Sequence, residues 1–230
     1  WERTFHPTPK PSGGSGEAPR QGGNDPPKKT QKTPKLSRAG RSLLHEAGVH
    51  LSRTVTEHRD AVGERSGSHA KKVLNNLINH DFIRVYTIQV GRARVKAVEV
   101  TKDGYEALGM EMPEATIKGS FSHRFLIRRY VVPFYQDRGW EVSVEYKGAD
   151  VVARRPDTGE CVVVEVEMRD SSHVVANVLR DLAEMTPDQI LIAVESKRVK
   201  THVRARLDGE EKLAGNRDKV SVELFSYFRK

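Results

Sequence analysis

Three carboxylates fall where they would share one end of a β-sheet. Gly148-Ala149-Asp150 opens one apolar run, and Glu165-Val166-Glu167 closes the valine-rich run Cys161–Val166 that follows it. Strand side chains alternate with a period of two, so Glu165 and Glu167 project from the same face. Acids inside a valine-rich strand are costly unless they are paired or hold a metal. Clustered carboxylates suit hard cations such as Mg²⁺ or Mn²⁺, with Asp150 and Glu165 as the expected ligands. Such a metal would lower the pKa of an attacking water and offset charge on a reacting phosphodiester. The alternative is a set of structural carboxylates in a domain that does not cut.

A second set has different chemistry. His69, Lys71, Lys72, Asn75 and Asn76 lie on one polar face, and Arg92, Arg94 and Lys96 follow a Gly-containing turn. Together with Arg53 they belong to a stretch from Arg53 to Lys96 holding nine basic and four acidic residues. Amides and cations on a helix suit base edges and phosphates, while arginines on a neighbouring hairpin reach phosphate or the minor groove. This spacing predicts a DNA interface, against the plainer reading of a solvated helix face.

Three helices and a hairpin must carry that second set. Ser37 caps a first helix bearing Leu43, Leu44 and Ala47. Thr54 and Glu57 have capping-box spacing for a short second helix. Ser66-Gly67-Ser68 is expected to cap a third, whose Ala70, Val73, Leu74, Leu77 and Ile78 follow the i, i+3, i+4 rule. Two β-rich runs, Phe82–Val90 and Ala93–Val100, surround Gly91-Arg92 and read as a hairpin. The acids need a different frame. A helix over Ser120–Arg138, interrupted by Pro133, precedes strands at Glu141–Tyr146, Asp150–Ala153 and Cys161–Val166. A helix at His173–Met185, a buried strand at Gln189–Val194, a charged helix over 197–214 and a strand at Val220–Phe228 complete the order αβββαβαβ.

Composition bounds these readings. The 230 residues carry a net charge of +8, and residues 1–36 form a basic, Pro/Gly-rich stretch with too little apolar surface to fold. The basic excess points to an anionic partner. One cysteine, Cys161, excludes an internal disulfide and multi-cysteine zinc sites; among valines it reads as a core residue. No apolar stretch approaches the roughly 20 residues that span a bilayer, so no membrane partner and a cytoplasmic address are expected. His123 reads as a capping or packing residue, and the nine histidines show no two-His metal signature. An opening on Trp1 rather than Met is what the C-terminal part of a longer chain would show.

These elements resemble known families. Helix, helix, helix, hairpin is the order of a winged helix, and Val100-Thr101-Lys102-Asp103-Gly104-Tyr105-Glu106-Ala107-Leu108 resembles the closing stretch of MarR-like winged helices. Residues 120–196 resemble the PD-(D/E)XK nuclease superfamily, with Asp150 on one strand and Glu165-x-Glu167 on the next. The chain further resembles the C-terminal region of HerA/FtsK-like ATP-binding proteins of conjugative and mobile elements. It shows Ser120-Phe121-Ser122-His123, Gly148-Ala149-Asp150, Val164-Glu165-Val166-Glu167 and Asn177-Val178-Leu179-Arg180 at the corresponding points. Two departures stand out: the superfamily lysine falls at Glu167, and the helix-borne acid falls near Ser122. The resemblance makes Arg180, from the following helix, the candidate replacement for the lysine in a catalytic set of Asp150, Glu165, Glu167 and Arg180.

The resulting expectation is a mixed α/β chain: an arm over 1–36, a winged helix-turn-helix over 37–112, and a restriction-endonuclease-like αβββαβ domain over 119–230. Three functions stay open: a metal-dependent endodeoxyribonuclease, a DNA-tethering module without catalysis that serves an ATPase or conjugation machinery, and a homodimeric MarR-like regulator.

Overall fold

The first helix, α1 (Arg38–Val49), starts where Ser37 Oγ accepts the Gly40 N–H at 3.1 Å. Its Leu43, Leu44 and Ala47 are buried. The second, α2 (Val55–Ala61), opens on a complete capping box, with the Glu57 side chain returning to Thr54. The third, α3 (Ser68–Asn79), differs from expectation at its start. Gly67 occupies the N-cap with φ 101° and contributes no side-chain cap. Ala70, Val73 and Leu77 are buried, whereas Ile78 turns outward. The described residues of this computed structural model are 35–64, 67–168 and 172–229. Almost all of the Pro/Gly-rich stretch predicted over 1–36, and Ser66 as a cap, lie outside them.

Strands β1 (Ile83–Val90) and β2 (Ala93–Val100) pair antiparallel in register from Ile83↔Val100 to Val90↔Ala93. The two-residue turn between them uses Gly91 at φ 63°, a conformation that suits a tight hairpin. Thr54 adds an isolated bridge to Ala97, tying the start of α2 to the hairpin. Helix α4 (Lys102–Leu108) follows, capped by Thr101. Gly104 is obligatory within it, because a Cβ there would sit 2.3 Å from the Phe82 carbonyl oxygen.

The helix expected over Ser120–Arg138 is three pieces. An α-helical turn, α5 (Phe121–Leu126), widens into a π-helical segment at Ile127–Val131 and resumes as α6 (Val132–Gln136). Pro133 has no N–H to donate and lies in the first turn of α6, directly after the widened segment.

A five-stranded mixed sheet then runs in chain order: β3 (Glu141–Tyr146), β4 (Ala149–Arg154), β5 (Cys161–Glu167), β6 (Gln189–Val194) and β7 (Val220–Leu224). Pairing is antiparallel for β3–β4 and β4–β5, and parallel for β5–β6 and β6–β7. Parallel strands need crossovers, supplied by α7 (Val174–Met185) and by α8 (Lys197–Asp208). The charged stretch 197–214 is therefore helical only to Asp208, and 3₁₀ turns cover Glu211–Lys219. The last strand also stops early, at Leu224, because Phe225–Arg229 coils into a 3₁₀ turn that buries Phe225 and Phe228.

Every residue of β5 is buried, which accounts for its valine run. One sheet face, with Val151, Val162, Val164 and Leu191, packs on Phe125, Leu126 and Val131. The other, with Val163, Ile190 and Ile192, packs on Val178, Val203 and Leu207. Leu43, Leu44, Val73, Leu77, Phe82 and Val98 form a third core among α1, α3 and the hairpin base. Ile88, Val90 and Ala97 belong instead to the first core, so the outer half of the hairpin packs on the large sheet's side. All described residues thus form one compact unit of mixed α/β structure. Among them no helix is long and apolar enough to cross a membrane.

Candidate functional site

Two places concentrate chemistry. At the first, a cleft of about 820 Å³ opens between α2, the start of α3 and the hairpin. Arg59 and Thr56 line it from α2, Lys71 and Asn75 from α3, and Arg94 and Lys96 from β2. No carboxylate is among its described lining residues. The fold makes this cleft for a local reason. Lys71 and Asn75 are one helical turn apart on the exposed face of α3, while Arg94 and Lys96 alternate with Val95 along a strand.

The structure therefore brings together Lys71, Asn75, Arg94 and Lys96 from the predicted interface. His69, Lys72 and Asn76 are exposed on the same helix outside the cleft lining, and Arg92 is exposed at the hairpin turn. Arg53 is elsewhere. Its guanidinium engages Glu46 of α1, which it serves as an ion-pair partner. Arg59 and Thr56 were not among the predicted residues. Their signal was present, since Thr56 and Arg59 are spaced i, i+3 on a helix whose capping box was legible.

The second place is the end of the large sheet where β4 begins and β5 ends. The β4–β5 pairing starts at Val151↔Val164, and beyond it the Asp150 side chain takes over the bond to β5. Asp150 Oδ2 accepts the Val166 N–H at 2.8 Å and lies 3.1 Å from His123 Nε2. His123 Nδ1 lies 3.1 Å from the Lys118 carbonyl oxygen. Both ring nitrogens thus face acceptors, an arrangement that only the doubly protonated imidazolium satisfies. Burial by itself would lower the His123 pKa, but the hydrogen bond and charge of Asp150 leave it raised. The imidazolium on α5 is a partner of Asp150, beyond the capping or packing role read from sequence.

Glu165 is 3% exposed. Asn177 Nδ2 donates to its Oε2 at 3.3 Å, and Arg180 Nη2 donates to its Oε1 at 3.2 Å. Arg180 also grips Asp181, with Nη2 at 2.7 Å and Nε at 3.0 Å from Oδ1. Asn177, Arg180 and Asp181 are spaced i, i+3, i+4 and share one face of α7. That spacing would have revealed Asp181, a fully buried acid missed in the sequence. Glu167 projects from the same side of β5 as Glu165 and is buried.

Burial, then the nearby charges of Asp150 and Asp181, push the Glu165 carboxyl up to about 9. Asp181 Oδ2 is buried without a hydrogen-bond partner, and burial raises the Asp181 pKa as well. These contacts bear on whether a divalent cation fits. Both Glu165 oxygens and Asp150 Oδ2 are engaged by protein donors. Among the described residues, no three His, Cys, Asp or Glu side chains are grouped to hold a metal. As arranged, the donor set does not fit Mg²⁺ or Mn²⁺, which require ionised oxygens facing a shared space.

Compared with protein-family models, curated proteins and solved structures, the chain matches none.

Proposed function

We propose that this protein binds duplex DNA through a winged helix formed by α1–α3 and the β1–β2 hairpin. The cleft carries this reading: four cations and three hydrogen-bonding side chains, Thr54, Thr56 and Asn75, converge, with no described acid in the lining. A sugar-phosphate backbone running between α3 and the hairpin would meet Arg59, Lys71, Arg94 and Lys96. Exposed Lys72, Asn76 and His69 on α3 would then face the major groove, and Arg92 the adjacent minor groove. Charge of this kind supplies affinity without sequence preference, while Asn75 and Asn76 provide the amides suited to adenine edges.

Residues 119–230 are read as a nuclease-like domain that tethers rather than cuts, because its strand-end acids are committed to His123, Asn177 and Arg180. The test is fluorescence anisotropy with labelled duplexes, alongside a cleavage assay in Mg²⁺ and Mn²⁺. Lys71→Ala and Arg94→Ala should each weaken binding to every duplex, and no metal-dependent cutting should appear. Undiminished binding by both variants would remove the cleft from the account. Cutting abolished by Asp150→Ala would replace tethering with hydrolysis.

A further inference from the structure

The cluster at the sheet end contains a cation of its own. Arg180 directs every guanidinium nitrogen into it: Nε and Nη2 to Asp181, Nη2 also to Glu165, and Nη1 toward Asn177 Oδ1 at 3.5 Å. A seat is built for it in the backbone. Gly148 has φ 85°, and a Cβ there would lie 3.2 to 3.5 Å from the guanidinium, so the missing side chain lets the group lie against the turn. The first glycine of Gly148-Ala149-Asp150 is thereby linked to a residue 32 positions later. Asp181 is fully buried, and its Oδ2 has no hydrogen-bond partner.

We infer that Arg180 is the resident counter-ion of the Asp150–Glu165–Asp181 cluster, and that it excludes divalent cations from these carboxylates in the wild-type protein. With it in place each carboxyl of the cluster has a basic partner: Asp150 faces His123 at 3.1 Å, and Glu165 and Asp181 face the guanidinium at 3.2 and 2.7 Å. A divalent ion would have to displace Arg180 from Glu165 Oε1 and Asp181 Oδ1 and compete with Asn177 for Glu165 Oε2. Removing the guanidinium opens the space and leaves three carboxyl groups without their second cation, which favours an ion from solution. This inference does not rest on DNA binding, so the two stand or fall separately.

The experiment is Mn²⁺ binding by the full chain, read by electron paramagnetic resonance and calorimetry, without DNA. The wild type and Arg180→Lys are expected to show no stoichiometric site. Arg180→Ala is expected to bind one Mn²⁺ per chain at least about tenfold more tightly than the wild type. Adding Glu165→Gln to Arg180→Ala should abolish that site. Stoichiometric binding by the wild type, or none by a folded Arg180→Ala, overturns the inference. Should Arg180→Ala fail to fold, Arg180→Met keeps the side-chain bulk without the charge and takes its place. A melting temperature of the wild type that is unchanged by Mn²⁺ supports the inference independently; a rise lost in Asp150→Asn overturns it.

Discussion

At the scale of residues, two protons matter. Glu165 has its pKa raised from an ordinary 4.5 to about 9, so the folded state holds a proton that the unfolded chain releases. Its contribution to stability is present below pH 4.5 and is lost as pH rises toward 9. His123, also raised, acts in the same direction above its ordinary 6.5. Stability should therefore fall from pH 6 to pH 9, and Glu165→Gln, neutral throughout, should flatten that decline in urea titrations. An equally steep decline in the variant would mean that Glu165 is ionised in the native state. Asp150→Asn should lower the His123 pKa, read by NMR of the ring protons. Gly148→Ala, forced into a positive φ against the Arg180 guanidinium, should cost about 1–3 kcal/mol. A neutral outcome would mean that the turn moves freely away from Arg180.

Among the site residues, what was legible followed from spacing, and what was not came from contacts distant in sequence. Asp150 and Glu165 announced themselves because acids bordering an apolar strand must be compensated. Their compensation was only partly readable. Arg180 was anticipated through resemblance, but His123 comes from 27 residues before Asp150 and from a different helix. Arg53 shows the opposite failure. It looked like an interface cation, yet Glu46, seven residues earlier on α1, takes its guanidinium, and nothing local marks that pair.

At the scale of elements, the helix caps, the hairpin and the buried central strands were all legible, because each has a short-range cause. Apolar periodicity fixed α3, whose Leu77 is fully buried against α1 and the hairpin base. Leu77→Ala should cost about 2–5 kcal/mol and loosen the cleft, since α3 carries Lys71 and Asn75. Thermal denaturation of that variant checks it; a cost below 1 kcal/mol would place α3 outside the core. Where elements ended differently, tertiary packing decided. Phe225 and Phe228 turn the last segment into a 3₁₀ coil to reach the first core, against the β propensity of Val220–Phe228. The widened π turn before Pro133 keeps Ile127, Tyr130 and Val131 buried on one side, which a regular helical count from Ser120 did not foresee.

Across the whole molecule, the hairpin belongs to two cores. Its base completes the helical core, while Ile88, Val90 and Ala97 join that of the large sheet. The sequence marked both runs as paired strands, but which of their side chains each core takes depends on contacts distant in the chain. Ion pairs follow the same seam: Arg124 of α5 reaches Glu99 of β2 at 2.9 Å, Glu99 accepts from Tyr86 at 2.9 Å, and Arg129 bonds Glu57 of α2. These pairs are partly exposed and contribute only about 0–1 kcal/mol each. The apolar seam is the stronger tie, so Ile88→Ala should cost about 2–5 kcal/mol. It should also separate the amide-exchange free energies of β2 and β5, which are expected to coincide in the wild type. Exchange that already differs in the wild type would show that the two cores open separately.

The most direct test of the central claim is the salt dependence of duplex binding. Four cations in the cleft, each neutralising one phosphate, give a slope of log K against log salt of about −3 to −4. Lys71→Ala combined with Arg94→Ala should reduce that magnitude by about 2, with affinity falling for all duplex sequences alike. A wild-type slope near zero, or one that the double variant leaves unchanged, would contradict DNA binding at this cleft.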